Sequence, residues 1–467
     1  MEGPRPAAIA GAGGRNTLHP LICAAIVAAA AVLAYLNSFQ GAFQLDDYKV
    51  LLSDPAVRSW GGWWSDLGRG IRPLLKLSYA LNWSTGLGLF GFHLVNLLIH
   101  LGVSLLVLLL ARILTGPSSR MGGVALFAAL LFALHPIQTE AVTYLAGRSA
   151  SLVAFFYLAS LAAYILGRLE GRPLVLYALS PALFLLALAV KETAATLPAA
   201  LLLWEITRRD RPFRLREALA SQAAHLGVLA LALAAFSAIP GHRFLIEYSF
   251  GLRGLYENLL SQIHGQFMLH AHYVLPGHLN FDPDLPTLTR WSWGLALEAG
   301  ILGCALAAGL WNLKRRPLVS FAILWVFLHS MAVYAAVPRT DILNERHLYL
   351  GGFGLFLLAA AGAAWFADQW PALRLPVAAA ACALLITLGL FTAERNADYR
   401  SEIRLWEDTA AKSPGKARVF NNLGYAYFLA GRNDEARKAW LETLRIDPAH
   451  ELARNNLSLL DVKGDVL

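Results

Sequence analysis

Long apolar runs constrain this chain more than any other feature. They fall at 18–36, 93–113, 121–135, 149–167, 173–190, 193–207, 217–239, 291–312, 318–337, 349–367 and 375–393. A bilayer core of about 30 Å takes roughly 20 apolar residues as a helix, and a lipid-buried backbone must satisfy its own hydrogen bonds. The runs therefore predict an all-α, polytopic transmembrane helix bundle of about eleven spans. Composition agrees: 57% of the residues are hydrophobic and 15% charged, against about 25% charged in ordinary soluble domains. An ordinary soluble enzyme, a disordered chain and a fibrous protein are excluded. Cys23, Cys304 and Cys382 all fall inside apolar runs, which offers no disulfide framework or thiolate metal site.

The net charge of +8 has a topological cause and does not call for nucleic acid. Arg5, Arg15, Arg112, Arg120, Arg168, Arg172, the group Arg208, Arg209, Arg211, Arg214 and Arg216, then Lys314, Arg315, Arg316 and Arg374 lie in alternate connections. With eleven spans these connections share one side, which the positive-inside rule makes cytoplasmic. The expected location is an inner, cytoplasmic membrane, with the N-terminus inside and the C-terminus outside. The stretch Met1 to Asn16 precedes a run with no clean small-residue cleavage site after it, so 18–36 is read as a retained first helix. The polar connections 37–92, 136–148, Lys191-Glu192, 240–290 and 338–348 then face outward, and their polar residues predict one shared site there.

After 393 the chain becomes charged and amphipathic, and it repeats. Asn421-Asn422-Leu423 recurs as Asn455-Asn456-Leu457, Trp406 as Trp440, Thr409 as Thr443 and Pro414 as Pro448, each shifted by 34 residues. That period is the tetratricopeptide (TPR) repeat. The chain divides into a membrane domain, 1–393, and a TPR-repeat domain, 394–467, on the outward side. Solenoids of this kind present grooves to peptides or partner proteins; a capping or dimerising module is the plainer alternative.

The outward connections hold the candidate chemistry. Asp46 and Asp47 follow the first span; such a pair supplies a general base or ligands for a divalent cation such as Mg²⁺ or Mn²⁺, or serves as loop acids and helix caps. Arg72-Pro73 and Lys76 follow in the same connection. His93, Asn96 and His100 share one helix face at i, i+3 and i+7 and must face protein or a wet cavity. His135, Glu140, Gly147 and Arg148 come next, then Lys191-Glu192 between two tightly joined spans, then Arg339, Asp341, Glu345, Arg346 and His347. An intramembrane Lys-Glu pair is costly unless used or paired, and arginines suit a phosphate through their fork geometry. The histidines of 240–290 keep no ligand spacing.

Asp46-Asp47, His93-Leu-Val-Asn96 with His100, His135-Pro136 with Glu140 and Gly147-Arg148, Lys191-Glu192 and Glu345-Arg346-His347-Leu-Tyr349 follow one order along the chain. That order, with the repeats after it, resembles the transmembrane-and-TPR O-mannosyltransferases and their bacterial relatives, within the GT-C superfamily of membrane glycosyltransferases. The resemblance runs from about Asn37 to the end. It implies a polyprenyl-phosphate-linked sugar as donor and a Ser or Thr hydroxyl of an exported protein as acceptor. It makes Asp46 the catalytic acid of the first outward loop, with Asp47 beside it. On that reading Glu140 orients the acceptor or joins Asp47 at a metal, and Arg148, Lys191, Arg339 or Arg346 neutralises the donor phosphate. His93, Asn96, His100, His135, Glu192 and Glu345 then form a supporting polar face. Its eukaryotic members carry long TPR arrays where this chain has about two repeats. Transfer to a glycolipid or polysaccharide, a non-catalytic membrane-anchored TPR scaffold, and a transporter using acids such as Glu298 are the competing readings.

Overall fold

The structure is a computed structural model that describes residues 18–116 and 119–464. Arg5 and Arg15 lie outside the described residues, as does the side chain of Arg120. The described chain is helical, with no strand among these residues.

Six helices are long and apolar enough to cross a membrane: Pro20–Gln40, Gly88–Thr115, Leu145–Glu170, Trp293–Trp311, Pro317–Ala336 and Pro371–Asp398. Two bent pairs raise the count to eight: Gly122–Leu134 with Pro136–Val142, bent by 54°, and Leu215–Ser221 with Ala223–Ala238, bent by 61°. The first bend falls at His135-Pro136, because a proline ring pushes the residue before it out of the helical region. The expected count of eleven exceeds these six to eight because three of the apolar runs make other helices. Val175–Val190 and the eleven-residue Leu197–Thr207 are short, and the eighteen-residue Gly352–Gln369 ends in polar residues.

Those three still run between the same two ends of the bundle. At one end Asn37 Nδ2 donates to the Ala393 carbonyl at 2.6 Å and Asn96 Nδ2 to the Val142 carbonyl at 3.0 Å. At the other end Arg168 and Arg208 both reach Glu205, at 2.7 and 3.2 Å. Polar connections converge at one end, where Asp47 accepts from Ala146 N–H, Arg72 binds Glu192 and Arg346 binds Glu140.

Small residues let these helices approach closely. A Cβ on Gly354 would sit 2.4 Å from the Ala322 carbonyl, and one on Gly102 would sit 2.7 Å from the Phe155 ring. Between lipid-embedded helices such close packing replaces the hydrophobic drive that water would supply. Leu297 and Ile301 on Trp293–Trp311, and Leu375, Ile386 and Leu390 on the helix ending at Asp398, are exposed; these faces are apolar and suit lipid.

Beyond the bundle lie four helices, Glu402–Lys412, Ala417–Leu429, Asn433–Ile446 and Glu451–Gly464. Gly424 admits the Trp440 indole, whose Nε1 donates to the Asn421 carbonyl at 3.1 Å, and Asn456 Nδ2 donates to Asn421 Oδ1 at 3.2 Å. The residues that repeat in sequence are thus the ones that join successive helices. This tail rests on the converged end. Trp406 stacks edge-on against Phe281, whose ring also meets Tyr144 and Tyr399. Lys416 and Arg418 both bind Asp282, at 2.6 and 2.5 Å, and Arg418 binds Asp341 at 2.7 Å.

Candidate active site

The converged end holds two unlike halves, an open carboxylate and a cluster of cations, which meet at Arg346. The loop Gly41–Asp47 supplies the first. Ala42 N–H and Gln44 Nε2 donate to the Tyr399 carbonyl at 2.9 and 3.1 Å. Asp47 is fully buried, and its two oxygens accept from the backbone N–H groups of Gln44 at 2.9 Å and Ala146 at 2.7 Å. Burial pushes its carboxyl up to about 8, opposed by those two donors. Asp47 therefore ties the first outward loop to the second. Asp46 turns the other way: its side chain is exposed, and its backbone N–H donates to the Tyr144 hydroxyl at 2.9 Å. Leu45, just before it, has φ +38°. Only Leu45 and Arg72 among the described non-glycine residues take positive φ. Both stand at this site, and strain of this kind persists where surrounding contacts over-determine the backbone.

The second half gathers Arg72, Lys191, Arg339 and Arg346. Arg72 binds Glu192 through both oxygens, at 3.1 and 3.0 Å. Arg346 binds both oxygens of the buried Glu140, one through its backbone N–H at 2.8 Å and the other through its guanidinium. The Arg346 guanidinium lies over the Tyr144 ring, 5.7 Å from its centre, and Asp46 adds to the negative field that keeps it protonated. Lys191 is 5% exposed in the break between two helices; Arg339 Nε is buried without a hydrogen-bond partner among the described residues, and its guanidinium lies over the Tyr334 ring, 5.3 Å from its centre. Burial and the neighbouring Arg339, Arg72 and Arg346 hold the Lys191 ammonium well below the usual lysine range. Arg72 holds Glu192 down at about 2 against the burial that would raise it. Glu140 and Glu192 each answer one arginine, Arg346 and Arg72, and no carboxylate among the described residues forms an ion pair with Arg339. Lys191, Arg346, His347, Tyr334, His329 and Tyr157 line a small cavity at this point.

The expected residues take varied places. Arg148 is fully buried and bonds Asn96 Oδ1 at 2.6 Å, the Phe92 carbonyl at 3.1 Å and the Ser78 carbonyl at 3.1 Å, with Tyr79 stacked on it. It joins three segments. Both oxygens of Asp47 and both of Glu140 accept protein N–H groups. No group of three metal-ligating side chains occurs among the described residues. The supporting face consists of joints. His93 Nε2 lies 3.1 Å from the Gly41 carbonyl, His100 bridges the Tyr349 hydroxyl at 2.7 Å and the Ala133 carbonyl at 3.2 Å, and His135 Nε2 meets the Tyr273 carbonyl at 3.0 Å. Buried Glu345 accepts from the Asn280 N–H beside His272, and burial raises it to about 8.

Sequence reasoning set Arg72 and His347 among the candidates without their partners, and gave Tyr144 no role. Arg72-Pro73 stood in view, but its partner Glu192 lies 120 residues away. His347 Nδ1 accepts the Asn344 N–H at 3.2 Å and its ring stacks on Tyr334 at 4.4 Å. Nothing in the local pattern marks Tyr144.

No family model matches the chain. Over 95% of its length it is 26% identical to "Protein O-mannosyl-transferase TMTC1" of Homo sapiens. It is 23% identical over 91% to "Protein O-mannosyl-transferase F38B6.6" of Caenorhabditis elegans, and 24% identical over 91% to "Protein O-mannosyl-transferase TMTC3" of Mus musculus. The chain is a distant relative of these proteins. It spans 57%, 63% and 51% of their respective lengths. The long alignments include both halves of the bundle's converged end and reach into the region of the helical tail, since they leave out at most about a tenth of the chain.

Proposed function

We propose that this chain is a membrane glycosyltransferase of the GT-C type that moves a mannose-like hexose from a polyprenyl-phosphate donor to Ser or Thr hydroxyls of exported proteins. The observation that carries the reading is the open carboxylate of Asp46 beside Arg346, with Lys191 and Arg339 behind it. The names of the relatives support the reaction class and the protein acceptor.

The acceptor hydroxyl attacks the sugar C1 while Asp46 takes its proton. The bond from C1 to the phosphate oxygen breaks, its electron pair stays on the phosphate, and one displacement inverts the anomeric centre. Arg346, Lys191 and Arg339 face the growing negative charge, where prearranged cations lower a barrier most. An arriving phosphate gives Arg339 an anionic partner and favours the protonated form of Lys191. The site faces outward from an inner membrane, the N-terminus is cytoplasmic, and the tail, as a TPR module, holds the acceptor protein above Asp46.

The test is glycopeptide mass spectrometry on the envelope proteins of cells making equal amounts of wild type or Asp46→Asn. A hexose adduct on Ser/Thr peptides should vanish in the variant, since general-base help is worth about 10²–10⁴-fold in rate. Unchanged peptides alongside altered glycolipids would move the acceptor to lipid. If neither changes, the enzyme reading fails.

A further inference from the structure

Residues 279–282 form a short strap between the helical tail and the site. Leu279, Phe281 and Asp282 are each 2% exposed and Asn280 is buried with them, although the segment has no regular secondary structure. Buried irregular backbone must find its hydrogen-bond partners elsewhere, and here they come from two places. From the tail, Lys412 Nζ donates to the Leu279 carbonyl at 2.7 Å and Ser413 Oγ to the Asp282 carbonyl at 2.9 Å. On the side of the site, Asn280 N–H donates to Glu345, the residue before Arg346.

The side chains repeat the pattern. Asn280 Nδ2 donates to Ser413 Oγ at 2.8 Å, so one residue meets the tail through its amide and Glu345 through its backbone. Glu345 is fully buried and its Oε2 has no hydrogen-bond partner among the described residues; the bond from Asn280 is the one that fixes this carboxyl. The Phe281 ring stands between Trp406 of the tail and Tyr144, with ring centres 5.6 and 5.2 Å away. Tyr144 in turn accepts the Asp46 N–H at 2.9 Å and carries the Arg346 guanidinium over its ring. The strap therefore reaches both halves of the site, Arg346 by way of Ser413, Asn280 and Glu345, and Asp46 by way of Trp406, Phe281 and Tyr144. A plain tether needs neither route, since Asp282 already holds Lys416 and Arg418.

We propose that the strap makes the helical tail a positioning element of the reaction: docked on residues 279–282, the tail fixes Asp46 and Arg346 against one another, apart from any hold it has on an acceptor. Asn280 and Ser413 are the positioning residues. The inference rests on the transferase reading of the site.

Ser413→Ala removes both bonds of its hydroxyl to the strap and leaves Asp282 to hold the tail. Asn280→Ala breaks the same link and keeps the backbone bond to Glu345. The full chain in nanodiscs is assayed with saturating polyprenyl-phosphate sugar and two acceptors: a whole exported protein, and N-acetyl-threonine amide, which offers a hydroxyl and no polypeptide to hold. In both variants kcat should fall roughly tenfold with both acceptors, inside the about 10²-fold that a 1 Å misplacement costs, while KM for the protein acceptor stays the same. A higher KM for the protein with the small acceptor unaffected reduces the tail to a holder and overturns the proposal, as does no change with either acceptor. Hydrogen exchange on the resting chain reads the link without activity. Ser413→Ala should quicken exchange at Glu345–Leu348 and leave Gly88–Thr115 as it was. Unchanged exchange at Glu345–Leu348, or an equal rise in both segments, overturns the proposal. If exchange responds as expected and wild type transfers no sugar, the link from tail to site stands and it is the transferase reading that fails.

Discussion

Between Asp46 and Asp47 the backbone turns, and two adjacent carboxylates end up with different work. Asp47 is enclosed by Gln44 and Ala146, and Asp46 is left in the open beside Arg346. That division makes a prediction about pH. The folded chain holds the Asp47 proton up to about 8, from an ordinary value of 3.8. Between those values the folded state binds more protons than the unfolded one, so stability falls as pH rises through the window. Asp47→Asn keeps an amide in place without the charge and should flatten the fall. Thermal unfolding of the detergent-solubilised protein from pH 4 to pH 8 checks it, and an unaltered slope would mean that the carboxylate is already ionised. A second prediction follows from the occupied oxygens of Asp47 and Glu140: transfer activity should be the same with and without chelator. Activity lost in chelator and restored by Mn²⁺ would refute this. The sequence showed which acids and cations sit at span ends, because charge inside an apolar chain stands out. It could not separate Arg148 from Lys191. Both are buried cations, and only the folded chain brings Asn96 and Ser78 to one of them.

At the scale of elements, the helical tail is fixed to the bundle by the apolar cluster around Trp406 and Phe281 and by polar contacts around one buried carboxylate. Asp282 is 2% exposed and receives both Lys416 and Arg418, while Ser413 Oγ donates to its carbonyl at 2.9 Å. Asp282→Ala removes three charge-assisted bonds. The cations left behind are partly solvated and can recover water, so the cost should be modest, of order 1–3 kcal/mol. It should appear as faster hydrogen exchange in Ala417–Leu429, with the bundle unaffected. Exchange that rises throughout the bundle would mean that tail and bundle form one cooperative unit. The 34-residue period was legible because Trp406 and Trp440 mark it plainly. The docking was not, since Asp282 lay among the irregular residues of 240–290. Those residues gain order only from distant partners: His264 meets Glu298 at 3.0 Å, and His272 meets Glu345 at 3.8 Å.

For the molecule as a whole, the question is which side of the membrane the converged end faces. Arg168 and Arg208 meet at Glu205, and the basic connections also include Lys314-Arg315-Arg316. Basic connections stay in the cytoplasm, and with the expected eleven passes that rule would put Asp46, the cation cluster and the tail outside. The parity matters more than the number of helices that meet a length criterion. Reporter fusions decide the matter. Alkaline phosphatase placed after Gly464 should be active and a fluorescent protein there dark, whereas a fusion within Lys314-Arg315-Arg316 should show the reverse. An active phosphatase at 314–316 would put the site in the cytoplasm. Exported proteins would then be out of its reach, and a polyprenyl-phosphate donor would lose its advantage over a soluble one.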